Sequence, residues 1–361
     1  MSEVGDKPIR VVIVEDSPVA REFLIAILED EPKFEVAGTG VNGSEAVPLV
    51  QLHRPDLVLM DANMPVMNGF AATRQIMETC PTRIIIVTAS YEPADVSTSM
   101  QALDAGALTV VEKPFGFGHP RHEDSVAALL SVAVALSEVH VVRRWSRAAR
   151  PLAERPAVVR SQGKVRAVAI AGSTGAPRIV GSLLRGLPAR IGCPVLIVQH
   201  ISPGFVEGFA GWLDGLCAMP VQVAKDGVAA APDHVYVAPD DSHLRIDGGN
   251  VLRLSGGPPR GGFRPSADEL FESMATAYGS AALGIVLTGM GRDGAEGLSA
   301  MSARGATTMA QDPDSCVVGG MPSAAIAVGA AGAVLAPEQL LEALRERLQL
   351  KEIIGRGPKR N

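Results

Sequence analysis

Short, almost uninterrupted apolar runs recur along this chain, each followed by a segment of helical spacing. No other feature narrows the accessible folds as much. Val11-Val12-Ile13-Val14 and Ile84-Ile85-Ile86-Val87 hold no polar residue over four positions. A strand with one wet face alternates in polarity, whereas a strand covered on both faces does not, so these runs predict a parallel sheet between two helical layers. Over the first 140 residues the strand candidates are Ile9–Val14, Phe34–Thr39, Leu57–Met60, Arg83–Thr88 and Leu108–Glu112. Helices are expected near Pro18–Glu29, Ser44–His53, Gly69–Met77 and Pro93–Ala105, with another from Ser125 to about Val142. Five such units make a doubly wound, five-stranded parallel α/β domain.

The pattern stops between Arg143 and Lys164, where Arg-Arg-Trp-Ser-Arg and two prolines leave no sustained period. This stretch reads as a solvated linker, or as a docking segment for an acidic partner. A second α/β pattern begins at Val165. Val168–Ile170, Pro194–Val198 and Leu283–Leu287 look like buried strands, and Val235–Ala238, Leu244–Asp247 and Val251–Leu254 like a small antiparallel excursion. Ser266-Ala267-Asp268-Glu269 fits a capping box opening a helix to about Tyr278, and Pro337–Leu350 closes the block as an amphipathic helix. The expected organisation is a first domain over 1–125 with its last helix running to about 142, a linker over 143–164, a mostly parallel α/β domain over 165–350, and a tail over 351–361.

Composition removes several function classes. With 47% hydrophobic residues the chain is far from a disordered one. The longest nearly apolar stretch, Val126 to Leu136, is broken by Ser131 and is too short to cross a bilayer. The N-terminus lacks the basic flank and apolar core of a signal peptide, and Cys80, Cys193, Cys217 and Cys316 are widely spaced with no CxxC. A cytoplasmic protein with reduced, mostly buried thiols is expected. The net charge of −6, with two Trp and three Tyr, is poorly suited to nucleic-acid binding. That charge is uneven: residues 1–116 carry 8 basic and 17 acidic side chains, residues 117–165 carry 8 and 4, and the remainder is nearly balanced at 17 and 18.

In the first domain the acidic residues gather where strands end. Glu15-Asp16 follow the first strand, Asp61 ends the third, Thr88 the fourth, and Lys113 the fifth. Ligands of doubly wound sheets bind outside the carboxyl ends of the strands. Three carboxylates there repel one another unless a hard dication such as Mg²⁺ joins them, and a hydroxyl and an ammonium nearby suit phosphoryl oxygens. Taken one at a time, each carboxylate could equally cap a helix or face water. Together, Val14-Glu15-Asp16-Ser17, Asp61-Ala62-Asn63-Met64-Pro65, Thr88-Ala89-Ser90 and Lys113-Pro114 resemble the flavodoxin-like receiver domains of two-component response regulators. The resemblance implies that Asp61 accepts phosphate from a histidine kinase, and that Glu15, Asp16, Asp61 and the backbone carbonyl of Asn63 hold Mg²⁺. It also implies that Lys113 pairs with the phosphoryl group while Thr88 swings toward it. Glu15 stands where the commoner pattern has Asp.

In the second domain Gly172-Ser173-Thr174-Gly175, Gln199-His200 and Gly289-Met290-Gly291-Arg292-Asp293-Gly294 each follow a strand. A serine, a histidine and an aspartate delivered from strand ends are what nucleophilic acyl transfer needs. The Gly-Ser-Thr-Gly turn alone could instead bind a phosphate or merely turn the chain, and it is neither a Walker loop nor a GxSxG elbow. Of the other histidines, His234 and His243 lie in the antiparallel excursion, farther from the expected crevice, and His119 and His122 sit in a polar loop without a second pair of ligands.

The three segments resemble the catalytic domain of the chemotaxis protein-glutamate methylesterases (CheB), with support from Val235-Tyr236-Val237-Ala238-Pro239, Arg264-Pro265-Ser266-Ala267-Asp268 and Gly320-Met321-Pro322. Receiver plus catalytic domain spans about residues 9 to 349. The resemblance implies Ser173 as nucleophile, His200 as general base and Asp293 as its orienter, with no cofactor at this site; the backbone N–H groups of Thr174 and Met290 are our own expectation for the oxyanion hole. The resemblance further implies phosphorylation-gated hydrolysis of glutamate γ-methyl esters on methyl-accepting chemoreceptors, deamidation of receptor glutamines, and no insertion into the membrane. Ala171 and Ala176 replace glycines usual in the serine motif, which bears on the loop geometry. A response regulator whose second domain is a non-catalytic partner-binding module is the rival reading; the complete Ser/His/Asp set speaks against it.

Overall fold

The computed structural model describes residues 7–88, 103, 105–137 and 163–350. Two sheets organise it. The first contains β1 (Ile9–Val14), β2 (Phe34–Gly40), β3 (Leu57–Asp61), β4 (Ile84–Thr88) and β5 (Thr109–Glu112) in the order β2-β1-β3-β4-β5, all parallel. Helices α1 (Pro18–Glu29), α2 (Gly43–His53), α3 (Gly69–Thr79) and α4 (His122–Ser137) accompany it. Val11 to Val14 and Ile84 to Val87 are all at most 1% exposed, which is the two-sided burial that their unbroken apolar runs demand. The strand order reverses between β1 and β3, so Glu15 and Asp61 stand at the switch point. Of the helix expected over Pro93–Ala105, residues 93–102 and 104 lie outside the described residues, as does the linker up to residue 162.

The second sheet is a parallel array of seven strands: β6 (Ala167–Gly172), β7 (Val195–Gln199), β8 (Val221–Val223), β9 (Val235–Val237), β12 (Ala282–Val286), β13 (Thr307–Gln311) and β14 (Ala333–Leu335), ordered β14-β13-β12-β6-β7-β9-β8. Its helices are α5 (Ala176–Arg185), α6 (Val206–Asp214), α7 (Ala267–Tyr278), α8 (Ala295–Ala303), α9 (Gly320–Ala327) and α10 (Pro337–Arg347). β10 (His243–Ile246) and β11 (Leu252–Ser255) form a separate antiparallel pair. The excursion is therefore smaller than expected. Val235–Val237, grouped with it from its short length and flanking turns, is buried at every position and pairs in parallel with β7 and β8.

The winding order of the strands reverses about β6, which has β7 on one side and β12 on the other. Gly172 lies opposite Gln199 in the ladder, and Ala171 opposite Val286. The residues that follow these three strands consequently emerge side by side at one edge. Among the described residues no helix is long and apolar enough to cross a membrane. The four cysteines are unpaired; Cys193 is buried, while Cys80, Cys217 and Cys316 are only half-buried, less than expected.

Candidate functional site

Ser173 leaves β6 in a tight turn whose N–H donates to Thr288 O (3.0 Å), and His200 leaves β7 with its N–H on Gly172 O (2.9 Å). Gln199 ties these two ends together, its side-chain amide donating to Ser173 O (2.8 Å) and His200 O (3.0 Å). Thr288 is fully buried and donates its hydroxyl to Thr174 O (3.0 Å), binding the β12 loop to the serine turn. Among the described residues neither Thr174 N–H nor Met290 N–H is engaged by another group, as an oxyanion site requires.

Asp293, in the loop between β12 and α8, accepts from His200 Nε2 at 2.9 Å. His200 Nδ1 is buried and has no partner among the described residues. The ring nitrogen left without a partner is thus Nδ1. Ser173 and His200 line one cavity with Pro177, Gln199 and Ile201.

The surroundings of Asp293 could not be read from the sequence. The segment expected to be a capping box does not cap: Ser266 makes no side-chain cap bond, and its hydroxyl donates to Asp293 Oδ1 at 2.7 Å instead. The N–H groups of Ala267 (2.7 Å) and Asp268 (3.1 Å), in the first turn of α7, donate to the same carboxylate. Asp293 is an external anion that takes the place of a cap at a helix N-terminus. Burial alone would raise its carboxyl, but the bonds from His200, Ala267 and Ser266 hold it below the ordinary aspartate value. His243, expected to lie farther away, supports this cluster by accepting Ser266 N–H on Nδ1 at 3.2 Å. The ring of His234 bonds to Pro232 O and stacks on Tyr236, His122 bonds to Phe115 O, and His119 stacks on Phe115.

The two alanines of the serine motif have space. Ala171 faces the core with Ala167 and Ala169 rather than the turn. Ala176 opens α5, and its methyl occupies the room that Gly172 leaves: a Cβ on Gly172 would collide with it.

At the other sheet, Glu15, Asp16 and Asp61 bring ligand oxygens within 4.8 Å of one another. Glu15 and Asp61 are buried and Asp16 is exposed. Lys113 reaches Glu15 Oε2 at 2.8 Å and Asp61 Oδ1 at 3.1 Å. Burial and then the charge of Glu15 push Asp61 up to about 6, against the pull of Lys113. Burial would depress Lys113, but Glu15 and Asp61 keep it above the ordinary lysine value. One ammonium does not compensate three carboxylates, so this all-oxygen donor set fits a hard dication. Thr88 is buried at the end of β4, its carbonyl accepting Lys113 N–H at 2.8 Å, and Asn63 lies exposed in the loop after β3. Leu103, Thr109 and Val110 of the first unit, none of them in the acidic cluster, wall the cavity that holds Ser173 and His200.

Residues 11–121 match the response regulator receiver domain, and residues 168–344 the CheB methylesterase domain. A protein-glutamate methylesterase/protein-glutamine glutaminase of Nitrosospira multiformis is 44% identical over 340 residues, covering 93% of this chain and 96% of the relative. Similar proteins from Anaeromyxobacter dehalogenans and Geobacter metallireducens are 45% and 41% identical, each over 93% of this chain and 98% of its own length. Identity at this level, carried through both units in the same order, makes the chain a member of the CheB protein-glutamate methylesterase/protein-glutamine glutaminase family.

Proposed function

We propose that this protein is a cytoplasmic, phosphorylation-activated hydrolase that converts glutamate γ-methyl esters of chemoreceptors to glutamates and deamidates receptor glutamines. The observation that carries the chemistry is the pairing of His200 Nε2 with Asp293, beside Ser173, at three neighbouring strand ends. Ser173 Oγ attacks the ester carbonyl while His200 Nδ1 takes its proton, and Asp293 stabilises the resulting imidazolium. The N–H groups of Thr174 and Met290 face the oxyanion. His200 then gives the proton to the departing methoxide, methanol leaves, and an acyl-serine remains. Water attacks this ester with His200 again as base, which releases the glutamate carboxylate and restores Ser173. With glutamine the leaving group is ammonia. A pure binding module has no need of the buried His200–Asp293 pair.

The receiver, over about 1–125, supplies control over the hydrolase at 165–350, with 143–164 as tether. Asp61 is the acceptor for a phosphoryl group from a histidine kinase, with Lys113 paired to it and Thr88 at the end of the neighbouring strand. Glu15, Asp16, Asp61 and the Asn63 carbonyl would hold Mg²⁺, which would offset the carboxylate charge and the charge of an incoming phosphoryl group. Leu103, Thr109 and Val110 restrict the mouth above Ser173, so phosphorylation acts by shifting the population toward an arrangement with that wall withdrawn.

The test is methanol release from methylated receptor, with and without a small phosphodonor. Wild type should release methanol and be stimulated, and Ser173→Ala should be inactive and refuse an active-site serine label. Full activity in Ser173→Ala overturns the assignment.

A further inference from the structure

The segment between β11 and α7 delivers to the site a side chain outside the Ser/His/Asp set. Phe263 lies flat on His200, with ring centroids 4.0 Å apart and planes 5° from parallel. Its far edge borders Gly291, where an added methyl would stand 3.8 Å from Cε2. The ring therefore sits between the imidazole and the loop that carries Met290 and Asp293. The His200 side chain is 8% exposed.

The chain around Phe263 is built to hold it there. Arg260 and Phe263 exchange two backbone hydrogen bonds, each of 3.0 Å, across Gly261 and Gly262. Both glycines have positive φ, +58° and +89°, the combination of a type I′ turn and one that side chains resist. Arg260 then clamps this turn to α7: its guanidinium donates to Glu272 at 2.7 and 2.6 Å and pairs with Glu269 at 3.5 Å, and on α8 it reaches Glu296 at 3.2 Å. The helix whose first turn holds Asp293 thus also holds, through Arg260, the ring that covers His200.

A histidine tethered through one nitrogen can still tilt its ring, because its χ2 torsion is broad. The tether at Nε2 sets the distance to Asp293 but not the plane of the ring. We propose that Phe263 is a positioning residue for the base: stacked on His200, it sets the imidazole plane that aims Nδ1 at Ser173, and Arg260 acts through it. The stack also places the negative face of a benzene ring against the imidazolium formed during each proton transfer. This inference rests on His200 being the base in the proposed hydrolase.

The experiment compares Phe263→Leu, Phe263→Tyr and Arg260→Gln in the full-length protein. Misdirected catalytic groups cost up to roughly 10²-fold in rate, so Phe263→Leu should lower kcat for methanol release by about 10- to 100-fold at near-constant KM. Phe263→Tyr, which keeps the ring, should restore most of kcat, and Arg260→Gln should fall between. A second readout needs no turnover: ¹⁵N relaxation of the His200 imidazole, which reports how tightly the ring plane is held, should show a more mobile ring in Phe263→Leu while thermal stability identifies any unfolded variant. Retention of kcat within about twofold by folded Phe263→Leu, with unchanged ¹⁵N relaxation, overturns the proposal. An active Ser173→Ala control would instead overturn the hydrolase assignment, leaving the ¹⁵N comparison to decide the role of the stack.

Discussion

His200 turns Nε2, not Nδ1, toward Asp293, at 2.9 Å, and Asp293 is itself held by the hydroxyl of Ser266 and the first turn of α7. The carboxylate accepts four hydrogen bonds, so its charge is stabilised by the scaffold before any substrate arrives. Asp293→Asn would turn an NH₂ toward some of these donors and lose control of the tautomer. A fall in kcat of about 10⁴-fold is expected, as for the loss of a triad carboxylate elsewhere. Single-turnover methanol release measures it, and a loss below tenfold would remove Asp293 from the orienting role.

Ser266→Ala removes one of those donors. A hydrogen bond to a charged group contributes about 1.5–3 kcal/mol, so the variant should be less stable by an amount in that range. Asp293 is held below its ordinary value in the folded state; its contribution is full above the usual carboxylate range and lost as pH falls through the lowered value. The difference in unfolding free energy between wild type and Ser266→Ala should therefore be largest near neutral pH and shrink in acid. Chemical denaturation at several pH values checks this, and a pH-independent difference would contradict it.

Asp61 shows the opposite sign. Its carboxyl is pushed up to about 6, so the folded receiver loses stability as pH rises from about 4 through 6. Asp61→Asn should raise stability at pH 7, by about 3 kcal/mol at most, with no gain below pH 4. The same variant should lose stimulation by a phosphodonor, and added Mg²⁺ should narrow its stability advantage over wild type. Thermal unfolding with and without Mg²⁺ provides the measurement; a destabilised Asp61→Asn at neutral pH would refute the charge argument.

Gly172 and Ala176 divide one space between them. Gly172→Ala should destabilise the protein by about 1–3 kcal/mol through overpacking and lower kcat by displacing Ser173. Adding Ala176→Gly should recover part of both losses, with a coupling above about 0.5 kcal/mol. Strict additivity in the double-mutant cycle would show that the two positions do not touch.

Much of this arrangement was legible along the chain because chemistry follows strands here. Runs buried on both faces, such as Val11–Val14 and Ile84–Val87, announce a parallel sheet, and parallel sheets place function at strand ends. Glu15, Asp16, Asp61, Ser173, His200 and Asp293 are all found there. β13 was missed because Thr307, Thr308 and Gln311 look polar, yet all are buried; Gln311 accepts Thr288 N–H and donates to Ser315 O, so its amide is satisfied inside.

The sequence by itself determined the alternation of strand and helix, the division into an acidic and a nearly neutral unit, and the residue types at each strand end. Local hydrophobic period and backbone propensity carry that information, and both act over a few residues. Only the tertiary structure decided which nitrogen of His200 meets Asp293, that Ser266 serves a carboxylate 27 positions away instead of its own helix, and that Phe263 covers a ring 63 positions before it. Those contacts arise where segments remote in sequence compete for the same buried donors and surfaces, and the competition is resolved only when the sheet and α7 are packed.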